Sequence, residues 1–402
     1  MPRPIARHNI NLTTEQLGLL LSAVAGRARV EGGGRAAFEA AFAEYLGVRH
    51  VLALDSARLA LALALRALKL APGARVVLPE YCFFTLPLVV RALGLAPVFA
   101  AVDPATHAID PERLAPTLRG AAALVLIHPF GQPAAGEAVA ELCRAEGAVL
   151  VEDPSQSTGA ALRGHPVGTL GRAATFSLVS GKNLQAFGGG LLATDDDELF
   201  QRIQAQLVDA RDPEAAAVRT RLRKGWLEWA LTTRPGFALA VFPAMLALSE
   251  LDRERLDSRF REARTPFDPG RPPVRLSDLQ GRLGLLDLAE LDRRNARRRG
   301  NGQRLIDSLR GVPGVGLPRI DPAATCTFNA VAVRVGNARA LARLLLRHGV
   351  DTRMDYMEWF AEPPSGAGEV LYLPNHPGLG VAEMDRVAAA VRGVLGGMKF
   401  RV

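Results

Sequence analysis

The stretch "FSLVSGKNLQAFGGGLLATDD", Phe176 to Asp196, sets a lysine between an apolar run and a triple glycine that leads into a second apolar run. That residue, Lys182, is one of only four lysines in a chain that otherwise takes its cations from arginine. Lys69 ends an amphipathic helical pattern, Lys224 lies in a basic cluster, and Lys399 belongs to the tail. Only Lys182 is flanked by strand-like sequence, so its charge there calls for a chemical reason.

Working outward, runs of the same apolar kind recur between about residues 48 and 196: "HVLALDS", "RVVLPE", "APVFAAVD", "ALVLIH", "AVLVED", "ATFSLV" and "GLLATD". Helical patterns such as "ARLALALALRALKL" and "GEAVAELCRAEG" separate most of the early ones. Strands buried on both faces read as continuous Val/Leu/Ala runs, which predicts a mostly parallel, seven-stranded sheet with helices on both sides. Ligands of such sheets gather at the carboxyl ends of the strands. The polar residues at those ends are therefore the candidates. "AVLVEDPSQ" stops in Glu152–Asp153 and then Gln156; "HVLALDSARLALALAL" turns from strand to helix through Ser56–Ala57–Arg58; "ATFSLVSGKN" carries Ser177 and then Lys182.

The rest of the chain sets the frame. At 402 residues it suits a large α/β domain with a smaller companion. "LGLLLSAVAG" has the look of a signal-peptide core, but it follows "NLTTEQ", where Thr13 or Thr14 with Glu15 and Gln16 reads as a helix start. An amphipathic helix is the reading adopted. No apolar run is long enough to cross a bilayer. Cys82, Cys143 and Cys326 have no metal-ligand spacing, so no metal site is expected, and a reducing, cytoplasmic setting fits. The net charge of +8 is spread evenly, a hint of an anionic substrate; no zinc-finger, RNP or helix-turn-helix pattern points to nucleic acid.

Residues 199 to 265 differ from what surrounds them. "RTRLRKGWLEWALTTRPGFALAVFPAMLAL" joins basic residues, two tryptophans and an apolar run. Such a composition over 226–249 suits a membrane-surface element, but a helical hairpin packed on the body or on a second subunit is the favoured reading. From about 275 to 310 the pattern is one long or two abutting amphipathic helices, and the remainder alternates strand, helix, strand, helix. The expected organisation is an N-terminal helical segment over 1–30 packing on the small domain, and a large domain over 31–265 with a helical insertion at about 205–265. An interdomain helix and a small C-terminal α/β domain then complete the chain over 266–402.

Pyridoxal phosphate chemistry needs this set of groups. A lysine must lose its proton to condense with the aldehyde, which calls for a shielded site. A carboxylate must face the ring nitrogen and keep it protonated, so that the ring can drain electrons from a substrate carbanion. The phosphate wants a helix N-terminus and hydroxyl donors. An aromatic face can cover the ring, and Phe83 in "PEYCFFT", just past a strand, suits that part. Each element alone is a common structural residue; their order and spacing carry the argument.

With those residues in hand, a family resemblance follows. "FEAAFAEYLGVRHVLALDSARLALALAL", "GARVVLPEYCFFT", "LIHPFGQPA", "VEDPSQSTGA", "GTLGRAATFSLVSGKNLQAFGGGLLATD", "RLSDLQGRLGLLDLAELDRRNARR" and "VLYLPNHPGL" run in one order that resembles the DegT-like sugar aminotransferases. These are homodimeric, fold-type I, pyridoxal phosphate-dependent enzymes. The resemblance makes Lys182 the Schiff-base lysine and Asp153 the partner of the ring nitrogen. It implies Gln156 beside the ring, Ser177 on the phosphate, Phe83 stacked on the ring, and Ser56–Ala57–Arg58 at the phosphate-binding turn. The expected reaction moves an amino group from an amino-acid donor, glutamate by family habit, to a keto-sugar acceptor that is usually nucleotide-linked. Another pyridoxal phosphate reaction on the same scaffold, and a non-catalytic scaffold, are the alternatives.

The departures from the family pattern matter as well. Arg58 replaces a small hydroxyl residue at the turn, where it would either pair with the phosphate directly or block the turn. Pro273 stands where a neighbouring subunit usually contributes an asparagine, so one phosphate contact is expected to be missing, with Arg58 as its substitute. Val179 stands where a histidine is frequent.

Overall fold

The computed structural model describes residues 3–30, 32–251, 266–354, 356–364 and 367–397. Each of the seven apolar runs forms a strand: β1 His50–Leu54, β2 Arg75–Pro79, β3 Ala96–Ala100, β4 Ala123–Ile127, β5 Val149–Asp153, β6 Ala173–Ser177 and β7 Gly190–Thr194. They make one sheet in the order β1-β7-β6-β5-β4-β2-β3. The pairs among β3, β2, β4, β5 and β6 are parallel, and β7 runs antiparallel to both of its neighbours. This is the α/β fold that the strand pattern predicts.

Helices α1 Thr14–Val24, α2 Gly34–Leu46, α3 Ala57–Ala67, α4 Thr85–Ala92, α5 Pro111–Leu118, α6 Gly136–Glu146 and α7 Asp197–Ala205 accompany the sheet. Strand alternation sorts its side chains between two cores. Val76, Leu78, Val125 and Val151 meet Leu61 and Leu65 of α3 and Val89 and Val90 of α4. Val77, Leu124, Leu126 and Leu150 meet Leu114 and Leu118 of α5 and Val139 and Cys143 of α6. Continuous apolar runs are the direct result, because neither face of these strands sees water. The same alternation sends Glu152 and Asp153, the last two residues of β5, to opposite faces.

Beyond the sheet come α8 Ala215–Thr232, a short helical and π-helical turn, and α9 Phe242–Leu251. The chain bends by 73° between α8 and the helical stretch Arg234–Ser249, and no single helix among the described residues is long and apolar enough to cross a membrane. Phe237, Phe242 and Met245 pack with Ala6 and Leu346, so this part of the insertion is spent on the body of the protein. The rest of the insertion, 252–265, lies outside the described residues. Helices α10 Asp278–Ala289 and α11 Leu291–Leu309 then lead to an antiparallel pair, β8 Val331–Val335 and β9 Glu369–Leu373, covered by α12 Ala338–Arg347 and α13 Val381–Gly397.

The N-terminus departs from expectation. Its leading residues do reach the smaller unit: Ile5 pairs with Val350 and is buried among Leu341, Leu345 and Val391. Helix α1 does not follow. Leu20 and Ala23 pack against Val218 and Leu222 of α8 and Leu279 and Leu283 of α10. The reason is that α1 needs an apolar partner for its inner stripe, and the insertion helix supplies one.

The triple glycine has a steric cause. Gly188 and Gly189 lie at φ 121° and 100°, a region that disfavours side chains. A Cβ on Gly190 would stand 2.3 Å from the backbone nitrogen of Ala57, so β7 can pass the start of α3 only without a side chain. Gly190→Ala is therefore expected to cost about 3 kcal/mol of stability, the upper range for overpacking. Gly393→Ala in α13, where a Cβ meets nothing within 4 Å, is expected to gain about 0.5 kcal/mol instead. Thermal and denaturant melts of the two variants check both signs.

Candidate active site

All eight residues singled out in the sequence line one cavity of about 590 Å³: Ser56, Ala57, Arg58, Phe83, Asp153, Gln156, Ser177 and Lys182. Their positions follow from the fold. Asp153 and Ser177 end the adjacent parallel strands β5 and β6. Ser56 caps α3 by accepting from the Leu59 amide at 3.2 Å, and with Ala57 and Arg58 it turns the helix N-terminus toward the cavity. Gln156 is buried and fixed: its Oε1 accepts from the Phe130 amide at 3.2 Å, and its Nε2 lies 3.4 Å from the Met357 sulfur.

Lys182 and Asp153, the two residues expected to carry the chemistry, are well sheltered. Burial pushes the carboxyl of Asp153 up, while hydrogen bonds from Ser155, the amide at 3.0 Å among them, and the charge of Lys182 oppose the rise. A carboxyl so placed gains most from a nearby cation. Lys182 is buried, and its Nζ donates to the Tyr356 hydroxyl at 2.6 Å.

Glu152, beside Asp153 in the sequence, has a different task. Its carboxylate accepts from the amides of Gly168, Leu170 and Gly171 at 2.9, 2.7 and 2.7 Å and from His128 Nε2 at 3.0 Å. His128 Nδ1 accepts from the Ala134 amide, so the ring donates through Nε2. Burial works to raise the pKa of Glu152, but His128 and the Gly171 and Gly168 amides outweigh it and hold the group below the usual carboxylate value.

Tyr356 is the residue that sequence reasoning missed. It comes from a strap whose next residues, Glu358 and Trp359, pair with Cys82 and Tyr81 beside the sheet, while Arg353 pairs with Tyr372 in the smaller unit. Its ring stacks on Phe83 at 5.1 Å and 22°, and the Arg353 guanidinium lies 4.4 Å from the ring centre. Tyr356 thus stacks on the residue that the resemblance sets against a cofactor ring. Lys182 and Tyr356 are 174 residues apart, and no local pattern in "VDTRMDYMEWF" announces the contact.

Two more contributions come from outside the sequence prediction. Arg221 of α8 pairs with Asp55 at 2.7 Å on the cavity wall, which brings the insertion into the site. Pro273 is a second difference. The resemblance assigns its position to a neighbour's site, whereas it lines the cavity of its own chain and its carbonyl accepts from the Arg211 amide. Val179 also stands on the wall, 41% exposed.

The sheet order and this cavity define an α/β enzyme with an amine and an acid at the carboxyl ends of its strands. The chain matches the family described as the DegT/DnrJ/EryC1/StrS aminotransferase family over residues 13–222 and 257–392, and it belongs to that family. It is 29% identical over 374 residues to the erythromycin biosynthesis sensory transduction protein EryC1 of Saccharopolyspora erythraea, covering 89% of this chain and 88% of that one. It is 28% identical to the dTDP-3-amino-3,4,6-trideoxy-alpha-D-glucose transaminase of Streptomyces venezuelae, with 88% and 85% covered. Among solved structures, DesV of S. venezuelae in complex with a ketimine intermediate superposes with a TM-score of 0.74 at 27% identity, covering 96% and 95% of the two chains. The chain is accordingly an aminotransferase.

Glu152→Gln tests the second task of β5. Removing one partner of a buried charge cluster is expected to cost about 3 kcal/mol at neutral pH. Because the folded pKa is depressed, that advantage of the native chain is present above about pH 4.5 and fades as the pH falls through the lower folded value. Urea melts of both proteins between pH 7 and pH 3 check the magnitude and its direction.

Proposed function

We propose that this protein is a pyridoxal phosphate-dependent aminotransferase that carries nitrogen from an amino-acid donor, glutamate by preference, to a keto-sugar, nucleotide-linked in the reading adopted here. The single observation that carries it is the common cavity of Lys182 and Asp153, which leave different strands 29 residues apart in the sequence. The donor set fits the cofactor: a sheltered amine, an acid that burial leaves in want of a cation, and a helix N-terminus with serine hydroxyls. The cavity volume of about 590 Å³ lies within the ordinary range for cofactor sites.

Lys182 would hold the cofactor's aldehyde carbon, Asp153 its ring nitrogen, and Ser56, Ala57, Arg58 and Ser177 its phosphate. Gln156 would lie beside the ring, and Phe83 would face it. The bound cofactor supplies an electron sink for the carbanion of the substrate. Released from the aldehyde carbon by the donor's own amine, Lys182 Nζ would take the proton from the donor's α-carbon as base and deliver it to that former aldehyde carbon as acid. Asp153 would set its negative charge, supported by the Ser155 hydrogen bonds, against the ring nitrogen from a sheltered position where its field is less screened. Tyr356, hydrogen-bonded to Nζ, fixes the direction of that amine between turnovers. Helix α3 offers the phosphate its free amides. Amino-sugar formation is the role supported by the relatives, which include a dTDP-amino-sugar transaminase. A homodimer and a reducing, cytoplasmic setting complete the reading; Cys82, Cys143 and Cys326 are all buried free thiols, which suits such a compartment.

Purified protein is expected to carry a pyridoxal absorbance band, and borohydride is expected to fix the cofactor's mass onto the peptide that contains Lys182. Lys182→Ala should lose the band's covalent component and lower turnover by on the order of 10³-fold or more, the scale of a lost general base. Amine-loaded enzyme should revert with keto-sugars and not with simple ketones. A reduced protein whose label sits elsewhere, or none at all, would remove Lys182 from its role.

A further inference from the structure

A second cavity, of about 740 Å³, opens where three parts of the chain meet: the segment before α1, the turn between α8 and α9, and the smaller unit. It shares no described lining residue with the large cavity, so the aminotransferase reading assigns it nothing. The insertion supplies one wall through Trp229, Phe237 and Leu239. That wall is apolar. Phe237 is 3% exposed and packs on Phe242 with ring centres 6.0 Å apart, whereas Leu239 is 81% exposed. No charged residue occurs from Pro235 to Ser249.

The wall that the smaller unit supplies is polar, and its groups converge. Arg234 reaches across to it, where its Nη2 donates to the Gly378 carbonyl at 3.0 Å and to Glu383 at 2.8 Å. Arg386, one turn along α13 from Glu383, donates through Nη2 to the Arg3 carbonyl at 2.8 Å. Among the described lining residues, Arg3, Arg234 and Arg386 thus face a single carboxylate, Glu383. His376 lies on the same side, 8% exposed, and neither ring nitrogen meets a partner in hydrogen-bond geometry, although the Ala6 backbone is near. Burial holds this imidazole neutral, moving its titration down to about 3, so it keeps one N–H to donate. A buried polar group left without a partner is costly, and a ligand that supplies one recovers that cost. Glycine keeps the approach open: a Cβ on Gly378 would stand 3.1 Å from His376 Nδ1 and 3.2 Å from Asn11 Oδ1.

We propose that this cavity binds a free carboxylic acid with an apolar tail. Its carboxylate sits among His376, Arg234 and Arg386, and its tail lies along Trp229, Phe237 and Leu239. Charge selects the head, because three arginines outnumber one glutamate on the cavity wall. Geometry makes it a carboxylate, since a guanidinium presents paired N–H donors to two oxygens and the imidazole adds another. The tail follows from the opposite wall, where an alkyl chain removes apolar surface from water. The volume lies within the ordinary range for small-molecule sites. A hollow with a buried phenyl ring in its wall suits one molecule that enters it, and a flat lipid surface would not reach Phe237. The inference stands apart from the transamination chemistry, none of whose steps uses these residues.

The test titrates decanoate into the native protein by calorimetry, with octanoate, acetate and decanol for comparison. One saturable decanoate site is expected. Octanoate should bind about ten-fold more weakly, the effect of two fewer buried methylenes, and acetate should not bind measurably. Arg386→Gln is expected to weaken decanoate about ten-fold and to leave decanol unchanged. Leu239→Glu, at an exposed position, sets a carboxylate on the apolar wall and should weaken both. Thermal melts show whether each variant is folded; if neither is, the chain-length comparison on the native protein still decides. The inference is overturned if the native protein has no saturable decanoate site, or if octanoate and decanoate bind equally. Unchanged decanoate affinity in folded Arg386→Gln and Leu239→Glu overturns it too. So does sedimentation with phosphatidylglycerol vesicles in place of decanoate binding, which would make this face a membrane contact.

Discussion

The site hangs on the way a buried carboxylate is satisfied at the centre of the sheet. Glu152 is fully buried and accepts three backbone amides and one imidazole proton. Those four donors tie the end of β5 to the 168–171 turn and to the loop after β4. With Glu152 clamped on one face, strand alternation leaves Asp153 no choice but the other. The carboxyl of Asp153 on the large cavity is therefore positioned by its neighbour, through backbone that is held on both sides.

A second constraint acts from the glycine run. The start of β7 crosses the N-terminus of α3 at a separation that excludes even a methyl group at Gly190. That crossing brings Ser56–Ala57–Arg58 to the same edge of the sheet as Lys182 and Ser177. Close backbone approach is what lets one helix dipole face a cavity whose other walls are strand ends. Arg221 lies across Gly188, where a Cβ would stand 2.8 Å from the arginine side chain, and its ion pair with Asp55 adds the insertion helix to the same wall.

The strap through Tyr356 links these parts to the smaller unit. One end pairs with Tyr372 and the other with Tyr81 and Cys82, so the phenol between them is delivered over Lys182 by both units at once. Its stacking on Phe83 makes the aromatic wall of the cavity a pair. Both rings line the large cavity.

Much of this was legible in the residues. Seven apolar runs marked seven strands because both faces of the sheet are dry, and the polar residues closing those runs marked the cavity because ligands meet strand ends. The lone lysine was legible for a related reason: composition made arginine the default, so a lysine inside strand-like sequence stood out. Tyr356 and Arg221 were not legible, since each depends on contacts between segments far apart in the chain that have no periodic signature. Nor could sequence say that α1 would seek the insertion helix, because an amphipathic stripe specifies that a partner is needed and not which one. Local pattern determined the elements and the ends of the strands; only packing decided which distant side chains close over them, because that choice is settled by shape and charge in three dimensions.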